Sequence, residues 1–231
     1  MTWTLTEMEL QALMLSLRAS VLAVLVSLPP ALFFGWLLAR RRFPGHDLLN
    51  AALHLPLVLP PVVTGYLLLL LLGRNGWIGG PLERLFDLRI AFSTTAVVIA
   101  CAVVSFPLML RAIRQSAEAA DTRLETAARS LGASELRILL TVTLPLLSPG
   151  ILTGMTLAFA RAVGEFGATI TLAANIPGLT QTLPLALFSV TQVPGADAAA
   201  ARLCVLSLLL AGGALVTAEV IARRLNWEPQ T

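Results

Sequence analysis

Lysine is absent from this chain of 231 residues, and all 16 of its strongly basic side chains are arginines. The absence excludes a Walker A loop, whose lysine reaches the β- and γ-phosphates of ATP, so the chain is not expected to hydrolyse ATP itself. Charged residues of both signs are also scarce, at 13% of the chain against about 25% in soluble domains. Since 57% of the residues are hydrophobic, the composition predicts an integral membrane protein.

Cysteine and histidine are almost as scarce, which argues against several kinds of site. The two cysteines, Cys101 and Cys204, lie in apolar stretches without CxxC spacing, and we interpret them as small buried hydrophobes. The two histidines are His46 and His54; neither stands in an evident Ser–His pair, and His54 is interpreted as an interfacial hydrogen-bonding residue. The sequence therefore predicts no catalytic residue, no metal site and no cofactor.

Five apolar stretches approach the roughly 20 residues that a helix needs to cross the hydrocarbon core. They lie at residues 10–38, 53–72, 92–110, 139–169 and 203–222. The first and fourth are longer than required, which predicts that they tilt, bend or contain a break. We expect an all-α integral membrane fold with about five transmembrane helices, in which residues 1–231 form a single transmembrane domain with a core at about 9–222.

The arginines indicate how the chain lies in the membrane, because cytoplasmic loops carry an excess of basic residues. One side collects Arg40, Arg41, Arg42, Arg111, Arg114, Arg123, Arg129, Arg137, Arg223 and Arg224. The other side holds Arg74, Arg84, Arg89 and Arg202. The N-terminus is therefore predicted to be periplasmic and the C-terminus cytoplasmic. The arginines flank apolar stretches rather than line one helix face, so they do not indicate a nucleic-acid partner.

The second apolar stretch contains Pro56, Pro60 and Pro61. Each proline removes a backbone donor and disturbs the preceding helical turn. In lipid the freed carbonyls need partners, so such a helix should face protein or a water-lined path. Two interpretations remain open: a kinked helix that only packs, or a bent helix that lines a pathway.

A second irregular segment follows the fourth stretch, at residues 175–201, and is rich in proline, glycine and threonine. Its middle, residues 183–190, is apolar but too short to cross a membrane. We expect a short helix there, which is either interfacial or re-entrant.

The loop between the third and fourth stretches, at about 112–138, predicts a short amphipathic helix. Thr122 and Glu125 have the spacing of a capping box, and Gly132 lies where a left-handed residue would end the helix. A helix of nine residues is ~13 Å long and is marginal in water without tertiary contacts. Its apolar face either packs on the membrane domain or docks a soluble subunit, and it consists of Leu124, Ala127, Ala128 and Leu131. Ser134 is expected to cap a second helix, which Pro145 should interrupt.

This loop resembles the EAA loop of ABC importer permeases, which reads Glu-Ala-Ala, three residues, Gly, nine residues, Ile-x-Leu-Pro. Here Thr126 stands in place of the glutamate and Val142 in place of the isoleucine, while Glu125 lies one position earlier. Segments 54–66, 105–108, 160–169, 175–178 and 200–204 extend the resemblance to the molybdate and sulfate branch, and most closely to its molybdate permeases. The resemblance implies an ATPase-coupling helix that comprises Leu124, Glu125, Thr126, Ala127, Ala128, Leu131, Gly132, Leu144 and Pro145.

The same resemblance implies a type I ABC importer permease in the bacterial inner membrane. Its expected partners are two copies of a cytosolic ABC ATPase subunit, a periplasmic molybdate-binding protein, a second copy of the permease and the membrane lipid. ATP-driven closure of the ATPases would then move the two EAA helices and switch the permease between inward- and outward-facing states, so that molybdate crosses by alternating access.

Arg161 and Glu165 are the only charged residues deep in the fourth stretch, and we expect them on one helix face. Ionisable residues inside a membrane are costly and indicate function by default. Arginine could attract a passing oxyanion, or Glu165 could simply neutralise Arg161 within a structural network. The candidate path also includes hydroxyl side chains, which release an anion more readily than a fixed charge does: Thr64, Thr169 and Thr171.

Several alternatives to a molybdate permease stay open at this point. Sulfate, thiosulfate and tungstate are tetrahedral oxyanions of similar shape, and a separate binding protein would choose among them. An intramembrane enzyme would need a nucleophile and a base within the spans, and an autonomous channel would have no use for a docking helix. Co-purification with an ATPase separates the importer from both.

Overall fold

The structure is a computed structural model that describes residues 5–225. Within that range the chain forms eleven α-helices and one π-helical turn, which confirms the all-α prediction. The helices are α1 (Glu7–Arg40), α2 (His46–Val58), α3 (Pro61–Leu72), α4 (Gly79–Phe86), α5 (Thr94–Ala119), α6 (Thr122–Ser130), α7 (Glu135–Ile138), α8 (Leu144–Val163), α9 (Gly167–Ala173), α10 (Leu183–Thr191) and α11 (Asp197–Leu225). The π-helical turn Leu139–Thr143 joins α7 to α8.

Helix α5 lies at the centre of the molecule, with α1 and α8 packed along it. Two glycines of α8, Gly150 and Gly154, are spaced i, i+4 and face α5. A Cβ atom on Gly154 would lie 3.0 Å from the carbonyl oxygen of Met109, and one on Gly150 would overlap Ser116. Helices in lipid gain little from burying apolar side chains, so close backbone approach through small residues is a main source of their association.

Four helical segments are long and apolar enough to cross a membrane: Glu7–Arg40, Thr94–Ala119, Glu135–Val163 and Asp197–Thr217. Helices α2 and α3 form a fifth span if they are taken together, and they are bent by 115° at the break between them. The predicted number of about five spans is therefore confirmed when the bent pair is counted as one.

The bend between α2 and α3 follows from two adjacent prolines. Pro60 is not helical, with a φ of −54° and a ψ of 133°, and Pro61 occupies the start of α3, where a missing N–H breaks no helical hydrogen bond. Pro56 lies inside α2 without ending it. The predicted bend is confirmed, and it directs α3 against α9.

The fourth span begins four residues earlier than the sequence predicts, at Glu135 instead of Leu139. The expectation that Pro145 interrupts this helix is wrong. In a regular helix the ring of Pro145 would press on the carbonyl of Thr141. The chain instead widens into the π-helical turn, in which the N–H of Leu144 donates to the carbonyl of Leu139, and the helix continues.

The same span ends earlier than expected, because α8 stops at Val163 and α9 starts at Gly167. Glu165 lies in the break between them. The prediction that Arg161 and Glu165 share a face of one continuous helix is therefore wrong, although the break brings the two side chains together.

The segment between α9 and α10 is held by side-chain hydrogen bonds. Asn175 donates from Nδ2 to the hydroxyl of Ser189 at 2.7 Å, and Gln181 donates from Nε2 to Oδ1 of Asn175 at 3.0 Å. The N–H of Leu183 donates to the hydroxyl of Ser16 at 2.7 Å. The short helix expected at 183–190 is present as α10, and it packs against α1 and α11.

Candidate functional site

Helix α6 begins with an aspartate cap. The carboxylate of Asp121 accepts the backbone N–H of Arg123 at 2.9 Å, so Asp121 is the N-cap residue and the predicted capping box of Thr122 and Glu125 is wrong. A side-chain hydrogen bond from Arg123 lowers the pKa of Asp121. The stability that this contact contributes is therefore present above the carboxyl's unfolded pKa and is lost as the pH falls through the lowered folded value.

The other end of α6 is a Schellman motif. Gly132 has a φ of +81°, its N–H donates to the carbonyl of Arg129 at 3.0 Å, and the N–H of Ala133 donates to the carbonyl of Ala128 at 3.1 Å. Together these bonds satisfy carbonyls that have no partner within the helix. The predicted left-handed end at Gly132 is confirmed.

Gly132→Ala should loosen the end of α6, because a left-handed conformation costs a residue with a Cβ atom ~1–2 kcal/mol. Amide hydrogen exchange of α6 should then become roughly 5–30-fold faster. Gly132→Asn is the matched control and should change the exchange less, since asparagine tolerates this conformation. Equal exchange in the alanine variant and the parent protein would contradict the proposed role of the glycine.

The apolar face of α6 is open in the described part of the chain. Leu124 is 50% exposed and Leu131 88% exposed, while Ala127 is exposed and Ala128 half-buried. Within residues 5–225 this face is therefore largely uncovered. A short helix with an exposed apolar face can dock in a groove on another protein.

Glu125 points away from that face and into the protein. Its Oε1 atom lies 3.7 Å from Nη2 of Arg40 and accepts the hydroxyl of Thr143 at 3.1 Å. Arg40 also donates from Nη2 to the carbonyl of Ala120 at 3.2 Å. The side chains of Arg40 and Glu125 are only 13% and 14% exposed. One carboxylate therefore joins α6 to the end of α1 and to the π-helical turn.

Thr126, which occupies the position of the motif glutamate, makes a different contact. Its hydroxyl donates to the carbonyl of Thr122 within α6 at 3.2 Å, and the side chain is exposed. Farther along, Arg129 donates two hydrogen bonds to Glu135, at 2.6 and 2.9 Å, and Ser134 caps α7 as expected. Leu144 and Pro145 lie at the start of α8, directly after the π-helical turn.

The break between α8 and α9 contains an ion pair. Nη1 of Arg161 lies 2.7 Å from Oε2 of Glu165, and Oε1 of Glu165 accepts the N–H of Ala168 at 2.7 Å. The Glu165 side chain is 1% exposed and that of Arg161 30% exposed. Glu165 thus holds the first turn of α9, while Arg161 extends from the buried carboxylate to the surface of the chain.

Two buried hydroxyls lie near this break, where α3 crosses α9. Thr64 and Thr169 are both buried, and within the described residues their Oγ1 atoms have no hydrogen-bond partner. Thr171 is half-buried and donates to the carbonyl of Gly167 at 2.8 Å. The structure therefore brings Arg161, Glu165 and Thr169 to one break and places Thr64 on the helix that packs against it.

Gly65 makes this crossing possible. A Cβ atom there would lie 2.7 Å from both Cα and the carbonyl oxygen of Ala168, and backbone atoms do not move aside easily. Gly65→Ala should therefore destabilise the protein by about 1–3 kcal/mol, and the midpoint of thermal unfolding in detergent should fall by about 2–4 °C for each kcal/mol. Gly212→Ala, where a Cβ atom would meet no described atom within 4 Å, should not lower the midpoint, because alanine is the better helix former. Equal midpoints for the two variants would contradict this packing.

Comparison with known families gives this geometry a context. Residues 31–225 match the family described as "Binding-protein-dependent transport system inner membrane component". The chain belongs to this family. It is thus an inner-membrane permease of the ABC importer class, and its several apolar spans agree with that location.

Relatives of this permease cover almost its full length. The molybdenum transport system permease protein ModB of Escherichia coli K12 is 56% identical over 95% of this chain and 96% of its own. The ModB protein of Haemophilus influenzae is 52% identical over the same shares. A sulfate transport system permease protein, CysW of Synechocystis, is 38% identical over 90% of this chain and 76% of its own.

Solved structures support the fold of the permease. A chain of the MetNI methionine ABC transporter, in inward-facing conformations, matches with a TM-score of 0.74 at 17% identity, over 96% of this chain and 100% of that one. A bacterial ABC transporter that imports alginate gives the same TM-score at 15% identity, over 96% and 81% of the two chains. At these identities the likeness concerns the fold alone.

One charged residue inside the first span, Arg18, was not among the predicted site residues. Arg18 lines a cavity of about 310 Å³ on the α1 side of the permease, together with Gln11, Thr94 and Gln181. An arginine within an apolar run is itself a signal, and the sequence contained it. The inward contacts of Glu125 were also missed, because they depend on Arg40 and Thr143, which are distant in sequence.

Proposed function

We propose that this permease is the membrane subunit of an ATP-driven importer that carries molybdate into the cytoplasm. The observation that carries the proposal is the high identity to two molybdenum transport permeases over nearly the whole chain. Identity to the sulfate permease is lower and covers less of that relative, which favours molybdate over sulfate. The permease itself contributes no ATPase site.

Coupling to ATP would run through α6. Its apolar face is exposed, its ends are fixed by Asp121 and Gly132, and it is joined to the membrane helices by Glu125. This combination suits a rigid element that docks on a soluble ATPase. In the proposed assembly, two permease copies face two ATPase copies in the cytoplasm, a binding protein delivers the anion from the periplasm, and the N-terminus is periplasmic.

The candidate translocation path runs past the break between α8 and α9. Arg161 supplies positive charge that Glu165 partly balances, so an oxyanion would be attracted without being trapped. The hydroxyls of Thr64 and Thr169 have no partner among the described residues and are therefore available to bind an anion for a short time. Thr171 lies two residues after Thr169 on α9.

The test is uptake by the complete complex, reconstituted in vesicles with its ATPase and its binding protein. Molybdate uptake that depends on ATP and on the binding protein is expected, with tungstate as a competitor and sulfate as a poor one. Uptake of sulfate alone would overturn the molybdate assignment. A purified complex that lacks any nucleotide-binding subunit would instead favour a channel or an intramembrane enzyme.

A further inference from the structure

A polar cavity of about 440 Å³ lies between α2 and α5. The cavity is separate from the break between α8 and α9 and from the exposed face of α6. Small-molecule pockets are usually lined mostly by apolar side chains. Here every lining residue is polar or charged: Asn50, His54, Arg111, Arg114, Gln115 and Glu118. Such a lining favours a small charged ligand over an apolar one.

One arginine of the cavity is held in a fixed position. Nε of Arg114 donates to Oε1 of Glu118 at 2.8 Å, and Nη1 donates to Oδ1 of Asn50 at 2.8 Å. Because the guanidinium is planar, these two contacts also orient the remaining nitrogen, Nη2. Less side-chain entropy is then lost when Arg114 binds a ligand. Nδ1 of His54 donates to the carbonyl of Asn50 at 2.8 Å, which orients the imidazole ring in the same wall.

The second arginine, Arg111, adds a positive charge for which the cavity lining has no further carboxylate. Arg111 is exposed, and no ion pair found within residues 5–225 includes it. Arg111 lies three residues before Arg114 on α5, so both side chains project from neighbouring positions on one face. The cavity thus combines two guanidinium groups with a single carboxylate and carries a net positive charge.

We propose that this cavity binds a tetrahedral oxyanion. Guanidinium groups match such an anion with several N–H donors in a fixed geometry. Two sources supply this chemistry: a free oxyanion that has left the translocation path, or the phosphate of a lipid headgroup. The first source rests on the proposed function, whereas the second does not depend on what the permease carries.

The location of the cavity suits both sources. His54 lies on α2, on the far side of the 115° bend from Thr64 of α3, so the cavity and the candidate path lie on the two arms of one bent span. Arg111 and Arg114 also belong to the arginine-rich side of the chain, where cytoplasmic headgroups are expected.

The experiment places a reporter thiol inside the cavity by Gln115→Cys, in a Cys204→Ser background. Cys204 is exposed, so the interpretation of both cysteines as buried is wrong for this one, whereas Cys101 is buried and should not react. The full complex with its ATPase is placed in phosphatidylcholine nanodiscs, and the rate of labelling by an uncharged maleimide is measured. Molybdate, sulfate or phosphate should slow labelling at least fivefold relative to chloride at equal ionic strength.

Two arginine variants in the same background assign the effect to the cavity. Arg111→Gln should abolish the protection, whereas Arg41→Gln removes the same charge from an exposed arginine of the same predicted membrane side and should preserve it. Nanodiscs that contain phosphatidylglycerol distinguish the sources. If that lipid alone slows labelling and free ions add nothing, the ligand is the phosphate of an anionic lipid headgroup; if ions protect in both membranes, it is the free oxyanion.

The proposal is overturned if neither ions nor phosphatidylglycerol slow labelling, or if the two arginine variants lose protection equally. Uptake by the unmodified complex is measured separately. A complex that carries an anion other than molybdate but shows protection would contradict the proposed function and leave this cavity as an oxyanion site.

Discussion

Arg161→Met is expected to abolish molybdate uptake and to lower the stability of the permease. The substitution removes the guanidinium that lies 2.7 Å from the carboxylate of Glu165, whose side chain is 1% exposed. Breaking a buried ion pair from one side leaves an uncompensated charge and typically costs about 3–5 kcal/mol. Loss of uptake in this variant alone would therefore not separate a path residue from a structural one.

The double variant Arg161→Met/Glu165→Gln makes that separation. Glutamine keeps an oxygen that can accept the N–H of Ala168, which Glu165 now accepts at 2.7 Å, and neither charge of the pair remains. We expect the double variant to assemble with its ATPase in normal yield, as measured by size-exclusion chromatography, but to remain inactive in uptake of labelled molybdate.

Uptake by Glu165→Gln alone is compared with uptake by the double variant, since the two differ only at Arg161. Glu165→Gln retains Arg161 and should therefore retain measurable uptake, because the positive charge for the anion is still present. Normal uptake by the double variant would end the path role of Arg161 and leave the pair as a structural element of the break between α8 and α9.

The fold was largely predictable from the sequence, because the bilayer imposes simple rules on it. A spanning segment must be long, apolar and internally hydrogen-bonded, so the five apolar stretches identified the spans, and Pro60 with Pro61 identified the bend. The rules say less about where a helix breaks within an apolar run. The break at residues 164–166 contains one glycine and no proline, and the sequence gives no strong signal there.

Two further predictions were wrong, the N-cap of α6 and the interruption of the helix at Pro145, because neighbouring residues or tertiary contacts decide such local features. Asp121 and Thr122 are both good N-cap residues, and periodicity does not choose between neighbours. The π-helical turn before Pro145 relieves the clash of the proline ring with the carbonyl of Thr141 while α8 stays packed on α5. Such an arrangement depends on tertiary contacts, which a single sequence does not display.

The position of helix α6 was predictable from the sequence, but its side-chain contacts with the membrane helices were not. The spacing of apolar residues and the terminal glycine located α6, and its exposed face agrees with a docking role. The direction of Glu125 was not predictable, since its partners Arg40 and Thr143 lie on other elements. Because Glu125 contacts the permease itself, it is not positioned to replace the motif glutamate on the exposed side of α6. Thr126 is the exposed residue there.

Glu125→Arg is expected to weaken the coupling between ATP hydrolysis and uptake. Arg40, Glu125 and Thr143 connect α6 to α1 and to the π-helical turn, so movement of α6 would pass to two membrane helices through one carboxylate. Arginine at this position would repel Arg40 and lose the bond from Thr143. A change of about 1.4 kcal/mol is a factor of ten in an equilibrium, and molybdate transported per ATP hydrolysed should fall roughly tenfold.

The charge swap Arg40→Glu/Glu125→Arg tests whether the pair carries this effect. It restores opposite charges, but a glutamate at position 40 no longer donates to the carbonyl of Ala120, so we expect partial recovery of coupling. Glu135→Arg is the matched control. Its ion pair with Arg129 is more exposed, at 73% and 52% for the two side chains, and exposed pairs contribute only about 0–1 kcal/mol.

A different pattern of results is expected from Glu125→Arg, the charge swap and Glu135→Arg if α6 only docks the ATPase and does not transmit its movement through Glu125. In that case Glu125→Arg and Glu135→Arg would lower ATPase binding and uptake together, and the amount of molybdate carried per ATP would stay at the parent value. A fall in that ratio confined to Glu125→Arg, and partly reversed by the swap, is the result that the contacts of Glu125 predict. Both quantities come from one vesicle preparation, through parallel assays of phosphate release and molybdate uptake.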